Sequence, residues 1–349
     1  GTEDQWTYPP FDGVIADGFV WGRGAMDDKG HLIALMEAAE RLIVGGFAPS
    51  RDVYFLFGHD EEVGGAEGAG AMRRLLDARG VKFDWTLDEG SGLVAGVIPR
   101  AQGPMALISV AEKGSTTLRF TATAPGGHSS APGKDTAVSI AARAVVAVND
   151  NPYPLEIDAD MAAFLRSLAP QLSFGERVVL ANLWLTGPLV AKTLGDNPTT
   201  AAALRTTTAP TLIEGGVKVN VLPQTANAVV NYRIHPRDNV AAVKARAEAL
   251  IGDPRVTVEA LGGVEPSPVA STTSEGFRAI AESTAEILTL QGTDTRHYVG
   301  AARDNYRFTP FIYGPDDLKR IHGTDERVSI LDVVRGAAWY EALMRRVAG

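Results

Sequence analysis

Val53-Tyr54-Phe55-Leu56-Phe57-Gly58-His59-Asp60-Glu61-Glu62 joins five apolar residues to a turn and three adjacent acids. A short run that is apolar at every position reads as a strand buried on both faces, as in the parallel sheets of α/β proteins. Upstream of it, Leu32, Leu35, Met36, Ala39, Leu42 and Ile43 recur at three- and four-residue steps. They form one apolar helical stripe, which Gly45-Gly46 ends. Downstream, Met72, Leu75 and Leu76 mark a second helix, and Trp85-Thr86-Leu87 the end of a further strand that runs into Asp88-Glu89-Gly90. Helix and strand alternate, and the acids fall just past strand ends, where open parallel sheets place their sites.

Near residue 110 the texture changes. Leu118, Phe120 and Ala122 alternate with polar neighbours; so do Ala228, Val230, Tyr232 and Ile234, and Val217, Val219 and Val221 follow the same step. This period of two predicts half-buried antiparallel strands. A helix is expected over Thr136–Val148; in the Pro-, Ala- and Thr-rich stretch to about 213 the early part reads as helical and the pattern assigns the rest to no element. Helical spacing returns at Val240–Ile251, Phe277–Leu288 and Ile330–Val347. The fold class expected is therefore α/β: an open, mostly parallel sheet domain built from residues 1–110 and 236–349, interrupted by an inserted α+β domain over 111–235.

Bulk properties narrow the function. The chain has 349 residues, a net charge of −9 and no cysteine. An acidic field repels phosphate backbones, so no nucleic-acid partner is expected. No apolar run approaches the ~20 residues a membrane helix needs, and no membrane partner is expected. Without thiols, any metal must sit on His and carboxylates.

Four clusters supply such groups. Gly22-Arg23-Gly24-Ala25-Met26-Asp27-Asp28-Lys29-Gly30 is a glycine-rich loop ending in two acids, which by itself is equally a helix cap. Asp60-Glu61-Glu62 packs three like charges together and calls for a positive partner. Asp88-Glu89 is the third, and His322-Gly323-Thr324-Asp325-Glu326 precedes the last helix. Together, Asp27, Glu61, Glu62, Asp88 or Glu89, and His322 are the inventory of a two-metal hydrolytic centre with a separate general base.

The ordered motifs Arg23-Gly24-Ala25-x-Asp27-x-Lys29-Gly30, Asp60-Glu61-Glu62-Val63-Gly64-Gly65, Leu87-Asp88-Glu89-Gly90, Gly126-Gly127-His128-Ser129-Ser130 and His322-x-x-Asp325-Glu326 span residues 6–328 nearly end to end. They resemble the zinc-dependent aminoacylase and carboxypeptidase family, closest to its carboxypeptidase S and N-acyl-amino-acid hydrolase branch. The resemblance implies two Zn2+ per subunit, with Co2+ or Mn2+ as substitutes. Asp27 would bridge the ions, Glu62 and His322 would complete one set of ligands, and one of Asp88 and Glu89 would serve the other, with Glu89 aligning slightly better. Glu61 would be the general base that takes a proton from a bridging water. His128 would reach the partner's active site in a homodimer built through the inserted domain and stabilise the oxyanion. Asn220 and Arg296 resemble substrate-contacting residues, although a strand-edge amide and a surface ion pair describe them equally well alone. His31, His59, His235 and His297 match no ligand position.

The implied activity is hydrolysis of an amide next to a free carboxylate, in short peptides or N-acyl amino acids. One departure sets a rival reading. The family carries a His-x-Asp motif just upstream of the Trp-x-x-Pro-Pro-Phe loop, and this sequence starts at Gly1, five residues before Trp6. A longer parent protein is therefore expected, and a truncated or degenerate homologue that binds metal or peptide without turnover is the alternative.

Overall fold

A computed structural model describes residues 1–96, 105–169, 172–281, 284–289 and 300–349. Arg296 and His297 lie outside the described residues. In chain order the strands are β1 (Val14–Ala16), β2 (Phe19–Trp21), β3 (Phe83–Val94), β4 (Met105–Glu112), β5 (Gly114–Thr123), β6 (Gly127–His128), β7 (Thr207–Gly215), β8 (Val221–Leu222), β9 (Thr225–Ile234), β10 (Val256–Val264), β11 (Thr284–Thr289), β12 (Ala302–Tyr313) and β13 (Arg327–Ser329). The helices are α1 (Gly30–Val44), α2 (Ala69–Ala78), α3 (Ala137–Asn149), α4 (Ala159–Ser167), α5 (Phe174–Ala181), α6 (Leu183–Gly195), α7 (Pro198–Leu204), α8 (Val240–Ile251), α9 (Glu275–Ala281), α10 (Asp317–Arg320) and α11 (Ile330–Ala348).

The chain divides into two units: Gly1–Val110 with Ala159–Ala181 and Val269–Gly349, and Ala111–Asp158 with Asn182–Pro268. The fold is α/β with two domains. Two boundaries differ from the sequence reading. The second unit runs on to Pro268 instead of ending at 235, because α8 and β10 complete its core: Val243, Ala247 and Val258 pack on Leu118, Phe120 and Val230. Residues 159–181, expected within the insertion, belong to the first unit.

In the first unit β11, β4, β12 and β3 form one sheet. β12 runs parallel to β3, while β4 pairs antiparallel with both, so the sheet is mixed. The stripes foreseen for the first and last helices face each other as α1 and α11. Ala34, Ala38, Leu42, Ala337, Tyr340 and Met344 share a core with Phe311 and Tyr313 of β12. Small residues bring the helices close. A Cβ on Gly336 would stand 2.6 Å from Phe311 and 3.3 Å from Ala34. Ser329 caps α11 by accepting from the Asp332 amide.

The second unit holds the antiparallel sheet β10-β5-β9-β7. Strand β5 alternates buried residues with half-buried or exposed ones along its length, as its period-two pattern predicts. A Thr136–Ser139 capping box starts α3, and Asn239 caps α8. A separate ribbon pairs β6 with β8, bringing His128 opposite Val221.

Four local expectations fail. Val53–Phe57 pairs with no strand among the described residues, and Val53, Tyr54, Phe55 and Phe57 are between 37% and 43% exposed. Apolar side chains favour burial, but a strand also needs neighbours for its backbone groups, and no described segment supplies them. The acids Asp88 and Glu89 sit inside β3 instead of past its end, because β12 continues the parallel ladder through Arg307 opposite Asp88. Val217 and Val219 are fully exposed, and only Val221–Leu222 is strand. The helix expected over 277–288 stops at Ala281, where a strand begins at Thr284 beside β4. A seven-residue helix is marginal alone, and β-branched residues favour the open sheet edge.

Candidate metal centre

The first ligand loop is built by hydrogen bonds to one buried carboxylate. Trp21 ends β2 with its indole N–H donating to the Ala16 carbonyl at 3.1 Å and its ring edge-on to Tyr8. After it, Gly24 turns the chain with φ of 72°. Glu326, 1% exposed, then accepts from the amides of Gly24 at 2.9 Å, Met26 at 3.0 Å and Asp27 at 3.1 Å. The Arg23 guanidinium donates to the same carboxylate at 2.6 Å. Asp27 thus leaves the loop at a fixed place, ahead of α1.

The three adjacent acids divide their work. Asp60 accepts from the amides of Glu67 and Gly68, both at 2.8 Å, which closes the 60–68 loop and lowers its own pKa. Glu61, half-buried, and Glu62, exposed, follow in a single 3-10 turn. The partner that meets these acids is His322: its Nε2 lies 2.7 Å from Glu62 Oε1 and 3.1 Å from Asp27 Oδ2. One donor atom each from Asp27, Glu62 and His322 falls within 4.8 Å of the others.

A second group of acids adjoins Asp27 from β3. Burial pushes the Glu89 carboxyl up to about 11, the neighbouring Asp28, Asp27 and Asp88 carboxylates raise it further, and Glu89 shares a hydrogen bond with Asp27. Asp88 accepts from the Glu89 amide at 2.9 Å. Asp28 is also raised by burial, against the pull of His31, whose Nδ1 lies 3.0 Å away. His31 in turn meets the Tyr340 hydroxyl of α11, a structural link as its sequence context suggests.

His128 and Asn220 come together in the second unit. Both are exposed, and the Ser129 amide donates to the Asn220 carbonyl at 3.1 Å across the β6–β8 ribbon. The imidazole is oriented locally, its Nδ1 2.7 Å from Ser130 Oγ.

Reading the sequence missed the supports of this centre. Arg23, Asp325 and Glu326 stood inside quoted motifs without a role. Their signal was chemical: an Arg two residues after a strand-like Val20-Trp21 pair, and an acid four residues past a candidate ligand.

Convergent carboxylates and an imidazole on an α/β scaffold form a group that could hold a metal ion. Residues 1–346 match Peptidase family M20/M25/M40, and the chain belongs to that family: it is a metallopeptidase-type hydrolase. It is 37% identical over 341 residues to an N-fatty-acyl-amino acid synthase/hydrolase of Mus musculus, covering 94% of this chain and 68% of that protein. A probable carboxypeptidase S-like protein of Dictyostelium discoideum is 36% identical over 354 residues, covering 98% and 68%. Among solved structures, the fold matches an M20 family metallo-carboxypeptidase from Sulfolobus solfataricus with a TM-score of 0.67 at 19% identity, over 99% of this chain and 81% of that one.

Proposed function

We propose that the protein is a dinuclear zinc hydrolase that cleaves the amide bond next to a free carboxylate in N-acyl amino acids or short peptides. The observation that carries this reading is the convergence of Asp27, Glu62 and His322, with Glu89 hydrogen-bonded to Asp27. The donor set suits zinc: two carboxylates and an imidazole offer ligand atoms within 4.8 Å of one another, and the 2.7 and 3.1 Å separations from His322 need open by less than about 1 Å to reach the roughly 3.3–3.6 Å between tetrahedral ligands at about 2.0–2.2 Å from an ion. Asp27, in contact with both His322 and Glu89, would bridge; Glu62 and His322 would hold one ion, and Glu89 would serve the second. Bound zinc would supply Lewis-acid polarisation of the scissile carbonyl and acidify the attacking water. Glu61, next in the chain to Glu62, would accept the proton of that water and return it to the leaving amine. His128 would donate to the developing oxyanion from a partner subunit, and Asn220, held beside it, would contact substrate. Arg296 would pair with the substrate carboxylate, which a planar guanidinium suits.

The test is metal analysis of the purified protein together with hydrolysis of a panel of N-acyl amino acids and dipeptides. Zinc content with turnover that a chelator removes and zinc restores is the expected result. Turnover that survives full removal of metal would overturn it, and metal binding without turnover on any member would favour a non-catalytic binder.

A further inference from the structure

The loop that carries His322 is held in an unfavourable conformation. His322 has φ of 60° and Asp325 φ of 59°, two non-glycine residues in the left-handed region within four positions. Few non-glycine residues adopt this conformation, and two so close together persist where their surroundings over-determine them. A Cβ on Gly323, between them, would stand 2.6 Å from the Lys319 carbonyl.

The surroundings are specific. Asp325 accepts from the Thr7 amide at 2.7 Å and from the Thr7 hydroxyl at 3.0 Å. Arg23, with Trp6 stacked on its guanidinium at 5.2 Å, donates through Nη2 to the carbonyls of Gly323 at 2.5 Å and His322 at 3.5 Å. Through Nη1 it donates to Glu326, the carboxylate that also gathers the amides of Gly24, Met26 and Asp27. One ion pair therefore grips the main chain on both sides of the centre, at His322 and at Asp27.

We infer that Arg23 and Glu326 are positioning residues that preorganise the metal centre, holding Asp27 and His322 at ligand spacing before an ion arrives. Neither side chain is itself a ligand in this scheme. The inference rests on the metal-dependent reading of the same cluster. Without the pair, the 322–325 loop would relax out of its left-handed conformation, and ion binding would have to restore it. Outer supports of this kind typically change metal affinity by roughly 10- to 100-fold.

The test compares zinc affinity, by chelator competition, in the unaltered chain, Arg23→Met, Arg23→Lys and Glu326→Gln, with the thermal midpoint of each metal-free protein. Arg23→Met and Glu326→Gln should bind zinc roughly 10- to 100-fold more weakly. Arg23→Lys, which keeps the charge but loses the fork, should fall between, and kcat should recover at saturating zinc in all three. Equal zinc affinity across folded variants would overturn the clamp while leaving the metal centre standing. So would weakened affinity that merely tracks a lowered metal-free midpoint. Should Glu326→Gln not fold, Arg23→Lys decides by itself. Failure of the unaltered chain to bind zinc would instead remove the reading on which the clamp rests.

Discussion

Glu61 and Glu62 are chemically identical neighbours with different expected tasks, and substitution separates them. Glu61→Gln should lower kcat by about 100-fold or more while zinc content stays near that of the unaltered chain, since the amide cannot act as base. Loss of metal with the rate restored by added zinc would reverse the two assignments. A second residue-scale prediction concerns His235, buried in the second unit. Burial lowers its pKa to about 4, and Arg237 adds to the shift. Asp158 lies 3.9 Å from its Nε2 and acts in the opposite direction, but that carboxylate is engaged by Arg237 at 2.5 Å. The unfolded chain takes up this proton near 6.5 and the folded chain does not until about 4. Stability should therefore fall as pH drops from about 6.5 to about 4, by up to about 1.4 kcal/mol per pH unit. Denaturant titrations across that window should show a shallower slope in His235→Gln; an unchanged slope would mean that other groups carry the acid sensitivity.

Helix and strand periodicity made α1, α3, α11, β5 and β9 legible, because each has one buried face and one wet face. The failures share a cause: the local pattern was right about polarity and silent about partners. Val53–Phe57 has the composition of an inner strand but no described neighbour to pair with. Thr284–Thr289 continues a helical stripe yet joins a sheet edge. Asp88 and Glu89 sit mid-strand because β12 keeps pairing past them. Nor can periodicity show where two elements touch most closely. Gly336 allows α11 to approach Ala34 of α1 and Phe311 of β12. Gly336→Val should force these apart and cost about 1–3 kcal/mol. A lower thermal midpoint is expected with zinc stoichiometry unchanged; a midpoint equal to that of the unaltered chain would show that the contact relaxes freely.

At the scale of the molecule, the cluster of Asp27, Glu62 and His322 was legible because metal-ligating chemistry is confined to a few residue types, whereas the domain boundary at 268 was not. Nothing in Val240–Ile251 distinguishes a helix of one unit from a helix of the other until its partners are known. His128 and Asn220 lie in the second unit and Glu61 in the first, so whether they act on one substrate is a question for the assembly. Mixing Glu61→Gln with His128→Ala tests it. If His128 acts on the neighbouring subunit, each hybrid dimer has one site with both residues intact, and activity should reappear on mixing. Subunit exchange without any returning activity would remove His128 from the partner's site.

The interleaving of the two units also sets an order of events on the ribosome. The sheet of the second unit has all its strands once residue 264 has emerged, while the first unit still lacks β12, the clamp carboxylate Glu326 and α11. Asp27 and Glu62 are made before His322, which follows Glu62 by about 260 residues, a wait of roughly 13 to 50 s at about 5–20 residues per second. Through that interval the acidic loops have neither the imidazole they meet in the folded chain nor the carboxylate that gathers their amides. The centre therefore closes only after the inserted unit already has its full set of strands.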